Sequence, residues 1–557
     1  MNCSCALCGS SFEITNEDLD FYEKVSPVIN EKKYLIPPPT ICPECRMIRR
    51  LSYRNDNSLY RSVSALSRQQ FISMYDLQNK LVIYDQKEWW SDKWDPLNFG
   101  RDFDFNKSFF EQFSQLQKIV PRFNIFNRDS INCEFVNYAP HNKNCYLIFG
   151  AWFNEDCAYG HTLSECKDCY DNLFIEKSEI SYECIDCAGN YRTLFSRNCN
   201  NCTDCFFCFD CKNVRNSFGC TNLRSKENFL YNKPASKEDI NSAISSLSCK
   251  SSLEAFKEQF NDIVQNKALH QATKGLNNEN SSGDFLFECK NARQCFSAYR
   301  CEDIAYSSRL FDQKSSIDLE GVGKGELVYE SLSNDFAFRS MCCTTCERLS
   351  ESHYCDLCFE CENCFGCIGL RRKQYCIFNK QYSKAEYLDM LPKIIDHMIR
   401  RGEWGEFFPV RFSFFGYNVT MAQEYFPLTK EEVLSRGWRW RDEKEEIHKV
   451  DKIIPANKLP ESIDDIPDDI LNWAIECEAT KRPFRIVKQE LEFYRRMKLP
   501  IPHFHPDERH RRRMALRNPR KLWKRQCAKC AEGIETSYSP DRPERVLCEK
   551  CYLKEVY

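Results

Sequence analysis

No run of apolar residues in this 557-residue chain approaches the roughly 18 needed to cross a bilayer, and the mean hydropathy is −0.58, so no membrane span is expected. The opening residues Met1-Asn2-Cys3-Ser4-Cys5 lack the basic and apolar regions of an export signal. Without export a disulfide framework is not expected, and a cytoplasmic location is. The formal net charge is only −3, so affinity for a polyanion has to come from an uneven spread of charge. There is no glycine-rich phosphate loop, no nucleophile elbow and no His-Glu-x-x-His helix. Those absences remove the commonest short catalytic signatures. They do not remove an enzyme whose carboxylates line a groove, which needs no short motif.

What the chain has in excess is cysteine, 36 in all. Cys5-Ala-Leu-Cys8 with Cys42-Pro-Glu-Cys45 near the start, and Cys527-Ala-Lys-Cys530 with Cys548-Glu-Lys-Cys551 near the end, each offer two thiolate pairs from tight turns. Four soft ligands of this kind close a tetrahedron around a structural zinc ion, so two zinc ions are expected. In the second set, Ser539-Pro540-Asp541-Arg542-Pro543 supplies a turn between two short strands.

The two ends also read as copies of one design. Phe12-Glu13-Ile14 with Leu19 to Tyr22 matches Phe484-Arg485-Ile486 with Leu491 to Tyr494, and Arg49-Arg50 with Arg54-Asn55 matches Arg512-Arg513 with Arg517-Asn518. In that register Cys5, Cys8, Cys42 and Cys45 fall on Cys477, Thr480, His505 and Glu508, while Cys527, Cys530, Cys548 and Cys551 fall on Ser64, Ser67, Asp85 and Glu88. Each end is therefore expected to be a tandem of two ribbons, one metallated and one held by packing, with Trp89, Trp90 and Trp94 supplying apolar bulk.

Between residues 130 and 382 the cysteines keep a six-residue beat in two phases three residues apart. Stacking the chain every eighteen residues aligns Cys166-Lys167-Asp168-Cys169, Cys184-Ile185-Asp186-Cys187 and Cys202-Thr203-Asp204-Cys205. That arithmetic predicts a mainly β fold: a parallel β-solenoid of about 18 residues per coil in two halves, flanked by small α+β zinc-ribbon modules and joined by capping and linking helices. Asn and Asp suit its left-handed corners. The halves repeat, since Cys220 to Arg224 with Tyr231-Asn232-Lys233 matches Cys367 to Arg371 with Phe378-Asn379-Lys380. Each half runs into a helix start, at Ser236 with Asp239 and at Ser383 with Glu386, and a helix there would cover an open strand edge. The ladder cysteines read first as buried, reduced, small apolar residues. A competing reading makes Cys166, Cys169, Cys184 and Cys187 a further metal site, because they form two Cys-x-x-Cys pairs. The five cysteines from Cys199 to Cys211 have iron–sulfur-like spacing, but no Cys-Pro follows them.

The expected division is a metallated ribbon over 1–60, a metal-free ribbon and linker over 61–128, solenoid halves over 129–235 and 283–382, and a helical insertion over 236–282. A helical or irregular linker covers 383–470, a metal-free ribbon copy with the basic segment 471–526, and the second metallated ribbon 527–557.

The string Phe21-Tyr22-Glu23-Lys24, leading to Cys42-Pro43-Glu44-Cys45-Arg46 and Arg49-Arg50, resembles the probable zinc-ribbon domain found in many uncharacterised bacterial proteins. Cys527 to Cys551 is similar to a related family of short zinc ribbons, and the whole layout resembles large proteins of little-cultured bacterial lineages. The resemblance implies zinc binding and no activity.

The segment from Arg495 to Arg525 holds twelve Lys and Arg residues. Arg509, Arg511, Arg512, Arg513, Arg517, Lys521, Lys524 and Arg525, with Arg46, Arg49 and Arg50 in the matching N-terminal position, form a candidate nucleic-acid surface, because guanidinium forks suit phosphates. The alternative is a helix face salt-bridged to neighbours such as Glu490 and Glu492. Trp89-Trp90 with Trp94 reads as core more than as a ligand platform. His503-Phe504-His505 invites a metal or catalytic role, although it sits within the cationic stretch. The functional expectation is a non-catalytic, zinc-dependent scaffold engaging RNA or a ribonucleoprotein. A protein-assembly module is a further alternative, and a small-molecule substrate is unassigned.

Overall fold

The computed structural model describes residues 1–442 and 452–557; the part of the expected 383–470 linker numbered 443–451 lies outside the described residues. Strands predominate, and the long runs pair in parallel. Helices, in chain order, are α1 Asn16–Val25, α2 Pro43–Leu51, α3 Gln86–Trp89, α4 Phe109–Ile119, α5 Lys237–Ser245, α6 Lys250–Asp262, α7 Lys384–Arg400, α8 Met421–Tyr425, α9 Lys430–Ser435, α10 Lys488–Met497, α11 Pro506–Ala515 and α12 Glu549–Val556.

The central segments are built from a three-residue unit. One residue bridges to its neighbours, the next takes a left-handed conformation, and the third points inward. From Asn132 through Phe135, Tyr138, His141 and Asn144 every third residue has φ near +50°. The inward set includes Cys199, Cys202, Cys205, Cys208 and Cys211, all fully buried. Parallel partners are Lys167 with Glu179, Glu179 with Tyr191, Tyr191 with Thr203, and Thr203 with Arg215, each step spanning 12 residues. The expected repeat of about 18 residues is thereby corrected to 12. Inward cysteines recur every third residue, so several multiples of three line up cysteine columns; backbone hydrogen bonding selects 12, a step that holds four left-handed residues. Bulky residues such as Phe135, Tyr138 and Leu147 occupy those corners as readily as Asn and Asp. The steric cost, about 1 to 2 kcal/mol per residue, is offset by the continuous ladder.

Cysteine suits the inward position because it is small and its thiol reaches two carbonyls. Cys202 Sγ donates to Asn200 O at 3.5 Å or to Cys211 O at 3.4 Å. Asparagine serves where a stronger link is made: Asn190 donates to Cys199 O at 2.9 Å and accepts from Cys202 N at 2.7 Å. All 36 cysteines are free thiols.

Parallel pairing runs in two ladders, one up to Glu227–Leu230 and a second from Gly275 onward. Each closes with an antiparallel turn, Phe229 with Pro234 and Cys376 with Gln381, and each is followed by the expected capped helix. Ser236 caps α5, and Ser383 with Glu386 forms a capping box on α7. Apolar side chains on the outer flanks bury the rest of the chain: Phe109, Phe113 and Trp404 pack beside Tyr354 and Phe365 of the second ladder, and Phe493 and Tyr494 beside Tyr170 and Tyr182 of the first.

Among the described residues no helix is long and apolar enough to cross a membrane.

Candidate metal centres

Each terminal four-cysteine set is assembled by a tight knuckle and a helix start. Cys5 N donates to Ser10 O and Gly9 N to Cys5 O, both at 2.9 Å, and Gly9 takes φ +74° to close the turn. Cys42 is the residue before α2, followed by Pro43, and its N–H donates to Cys5 Sγ at 3.3 Å. The C-terminal set repeats this with Cys527 N to Glu532 O at 2.8 Å, Ala531 N to Cys527 O at 3.0 Å, and Cys548 N, ahead of α12, to Cys527 Sγ at 3.3 Å. Within each set all four sulfur atoms lie within 4.8 Å of one another. Cys8 Sγ to Cys42 Sγ is 3.8 Å and Cys530 Sγ to Cys548 Sγ is 3.7 Å. Tetrahedral thiolates at zinc bond lengths stand about 3.8 Å apart. The two clusters therefore fit zinc-ribbon-like sites and can each hold a metal ion. Backbone dipoles favour the thiolate: burial raises Cys527, but the N–H groups of Cys530, Cys548 and Lys529 outweigh it and bring it down to about 6. The hydrogen bond shared by Cys42 and Cys45 brings Cys42 down to about 5 and pushes Cys45 well up, so the pair first releases one proton.

The degenerate copies keep the knuckle without the ligands. Ser64 N donates to Gln69 O and Arg68 N to Ser64 O; Cys477 N donates to Arg482 O and Lys481 N to Cys477 O. Ser64 Oγ then receives the N–H groups of Leu66 and Ser67 and donates to Glu88, which is held in a capping box with Asp85. Thr480 N donates to Cys477 Sγ, His505 caps α11, and Glu508 accepts from Arg511 and Arg512. Trp89 is fully buried beneath Trp90, Trp94 and Phe123, in the core role read from sequence.

The two ribbon pairs dock on the parallel ladders through one arrangement made twice, and in crossed order. The N-terminal pair seats on the second ladder. Arg46 Nε meets Asp318 at 2.7 Å and Arg50 Nη1 at 3.1 Å; Arg46 lies over the Tyr306 ring, whose hydroxyl donates to Asp18 at 3.1 Å, and Arg50 Nη2 reaches Tyr306 O at 3.4 Å. The C-terminal pair seats on the first ladder. Arg509 and Arg513 meet Asp171; Arg509 lies over the Tyr159 ring, whose hydroxyl donates to Glu490 at 2.7 Å, and Arg513 Nη2 reaches Tyr159 O at 3.4 Å. Asp171 and Asp318 are both fully buried.

The expectation of one solvent-facing basic surface is corrected by this docking. Arg46, Arg49, Arg50, Arg509 and Arg513 are buried, with Arg49 held by Glu330 and Glu406. Arg517 pairs with Asp186 at 2.9 Å, and Arg525 donates to the carbonyls of Ser539 and Glu544. Arg511 and Arg512 are exposed but share Glu508, Lys521 pairs with Glu44 at 3.5 Å, and Lys524 is exposed. A buried guanidinium left without a partner is strongly destabilising, and fixed carboxylates on the ladder flanks supply partners for these cations. The docking carboxylates Asp171, Asp318 and Glu330 were not singled out from the sequence, whereas Glu490 was, and Arg509 reaches it at 3.4 Å. A lone carboxylate carries no motif, and only the internal duplication marks Asp171 and Asp318 as equivalents.

Cys166, Cys169, Cys184 and Cys187 point inward among other ladder thiols. Their hydrogens go to carbonyls, as in Cys166 Sγ to Ser164 O at 3.2 Å and Cys184 Sγ to Thr193 O at 3.1 Å. His503 donates to or accepts from Glu478 at 2.8 Å.

No family model and no curated protein matches this chain.

Proposed function

We propose that the protein is a non-catalytic, zinc-dependent scaffold in which two β-solenoids of twelve-residue coils are clasped by two zinc-ribbon pairs. Support comes chiefly from the repeated lock of Arg46 and Arg50 on Asp318 and of Arg509 and Arg513 on Asp171. The helices that carry these arginines, α2 and α11, start at a metal ligand, Cys42, and at its degenerate counterpart, His505. Zinc is the ion that suits four thiolates in a closed tetrahedron. The partner read from the sequence, RNA or a ribonucleoprotein, contracts to the exposed cations Arg511, Arg512, Lys521 and Lys524, of which Arg512 lies over the Phe504 ring at 3.6 Å.

Elemental analysis of the full chain is expected to return about two thiolate-bound zinc ions. Mixed-sequence single-stranded RNA is expected to bind with an affinity that falls steeply between 50 and about 200 mM salt, and R511E/R512E/K521E/K524E is expected to abolish it. Absence of zinc overturns the scaffold, and absence of RNA binding at low salt overturns this partner class. The alternative of an enzyme is favoured by one feature, a cavity of about 760 Å³ walled by Glu424, Arg441, Arg482, His505 and His510.

A further inference from the structure

His161, Glu424 and His510 lie far apart in the chain and are gathered where three elements meet. His161 opens the strand His161–Ser164 of the first ladder, His510 sits mid-way along α11, and Glu424 lies on α8. One ring nitrogen of each histidine and a carboxylate oxygen of Glu424 lie within 4.8 Å of one another. His510 Nε2 is 3.1 Å from Glu424 Oε1, and the two imidazoles stack with centroids 3.6 Å apart at 18°. Both histidines are more than nine-tenths buried, and His510 Nδ1 is buried with no hydrogen-bond partner.

The internal duplication shows that the fold does not need imidazoles at this point. In the other ribbon-on-ladder contact, α2 places Met47 where α11 places His510, and the strand Ser308–Phe311 opens with Ser308 where the first ladder has His161. Ser308 Oγ and Met47 Sδ meet there at 3.8 Å. The same contact is thus closed once by a neutral, ligand-poor pair and once by two histidines with a carboxylate. Nearby cations are already matched: Arg513 is bonded to Asp171 and Arg309 to Glu320.

We propose that His161, His510 and Glu424 form a third metal site, for a divalent transition ion such as zinc, with an open coordination position facing the 760 Å³ cavity. Two imidazoles and one carboxylate with a vacant fourth position make an open site, unlike the two closed four-thiolate sets. The three atoms, all within 4.8 Å of one another, stand about 3.3 Å apart when they share an ion at ordinary bond lengths. Glu424 and His510 line the cavity along with Asn57, Thr420 and Gln423, so a small polar ligand in it would reach the ion's fourth position.

The test uses the full chain, stripped by a chelator and reloaded with Co²⁺. The wild type is expected to take up about three ions, two showing strong thiolate charge-transfer bands and one showing only weak visible absorption. H161S/H510M installs the pair that the other half already carries as Ser308 and Met47, so the contact is kept. It is expected to lose the weakly absorbing ion alone. E424Q keeps the shape and is expected to weaken that ion at least tenfold, with the thiolate bands unchanged. A wild type that binds no ion beyond the thiolate-bound ones, or a non-thiolate ion that survives in H161S/H510M, overturns the site.

Discussion

Replacing Asp318 by Asn removes one charge from the most enclosed part of the docking contact. Asp318 and Arg50 have no exposed side-chain surface and Arg46 has 1%. Arg50 keeps Glu330 at 3.5 Å, but Arg46 loses its one carboxylate partner and keeps the carbonyl of Ile41 and the face of the Tyr306 ring. Breaking a buried pair by removing one partner costs about 3 to 5 kcal/mol, and the surviving Arg50–Glu330 contact places the cost at the low end. About 3 kcal/mol corresponds to roughly a hundredfold rise in the opening equilibrium. Amide hydrogen exchange followed by mass spectrometry reads this directly: peptides covering α2 are expected to lose about two decades of protection. The duplicate gives an internal control, since α11 is locked on Asp171 and is expected to stay protected in D318N. In D171N the pattern reverses, with Arg509 keeping Glu490 at 3.4 Å. A change under tenfold in α2, or equal loosening of α11 in D318N, refutes the picture of two independent locks.

Cys45→Ser removes one thiolate of the N-terminal set, so the protein is expected to lose about one zinc and protection over residues 1–60 while the C-terminal ion stays. Thiol titration of the native, metal-loaded chain is expected to find Cys3, Cys249 and the half-buried ladder residue Cys133 reactive and the other inward ladder cysteines silent until denaturant is added, because the latter are buried. Burial holds His270 and His353 at about 4 against the ordinary 6.5. The unfolded chain therefore binds more protons between these values, and stability is present above about 6.5 and falls as pH drops toward about 4. His353→Leu is expected to flatten that acid limb in urea unfolding followed from pH 7 to 4; an unchanged slope refutes the assignment.

Much of the local design is legible in the residues. The paired Cys-x-x-Cys spacings mark the two metal clusters because two thiols on one short loop present two ligands to one ion. The duplication of the ends is legible too, down to Ser64 and Cys477 standing in ligand positions, because backbone geometry outlasts the metal. The beat of the ladder cysteines correctly marks the inward face. It cannot mark the pairing step, since Cys166, Cys184 and Cys202 fall in line at 18 residues while Cys133, Cys145, Cys157 and Cys169 fall in line at 12.

The sequence by itself determined which residues turn inward, where thiolates pair and where the capped helices begin, because these follow from neighbours a few positions apart. Tertiary structure alone decided the twelve-residue pairing step, the crossing of each ribbon pair onto the farther ladder, and the fate of the arginines. Those outcomes depend on hydrogen bonds and ion pairs between segments up to hundreds of residues apart, as between Arg46 and Asp318 or His161 and His510. A charge in a linear string carries no sign of whether water or a buried carboxylate will face it.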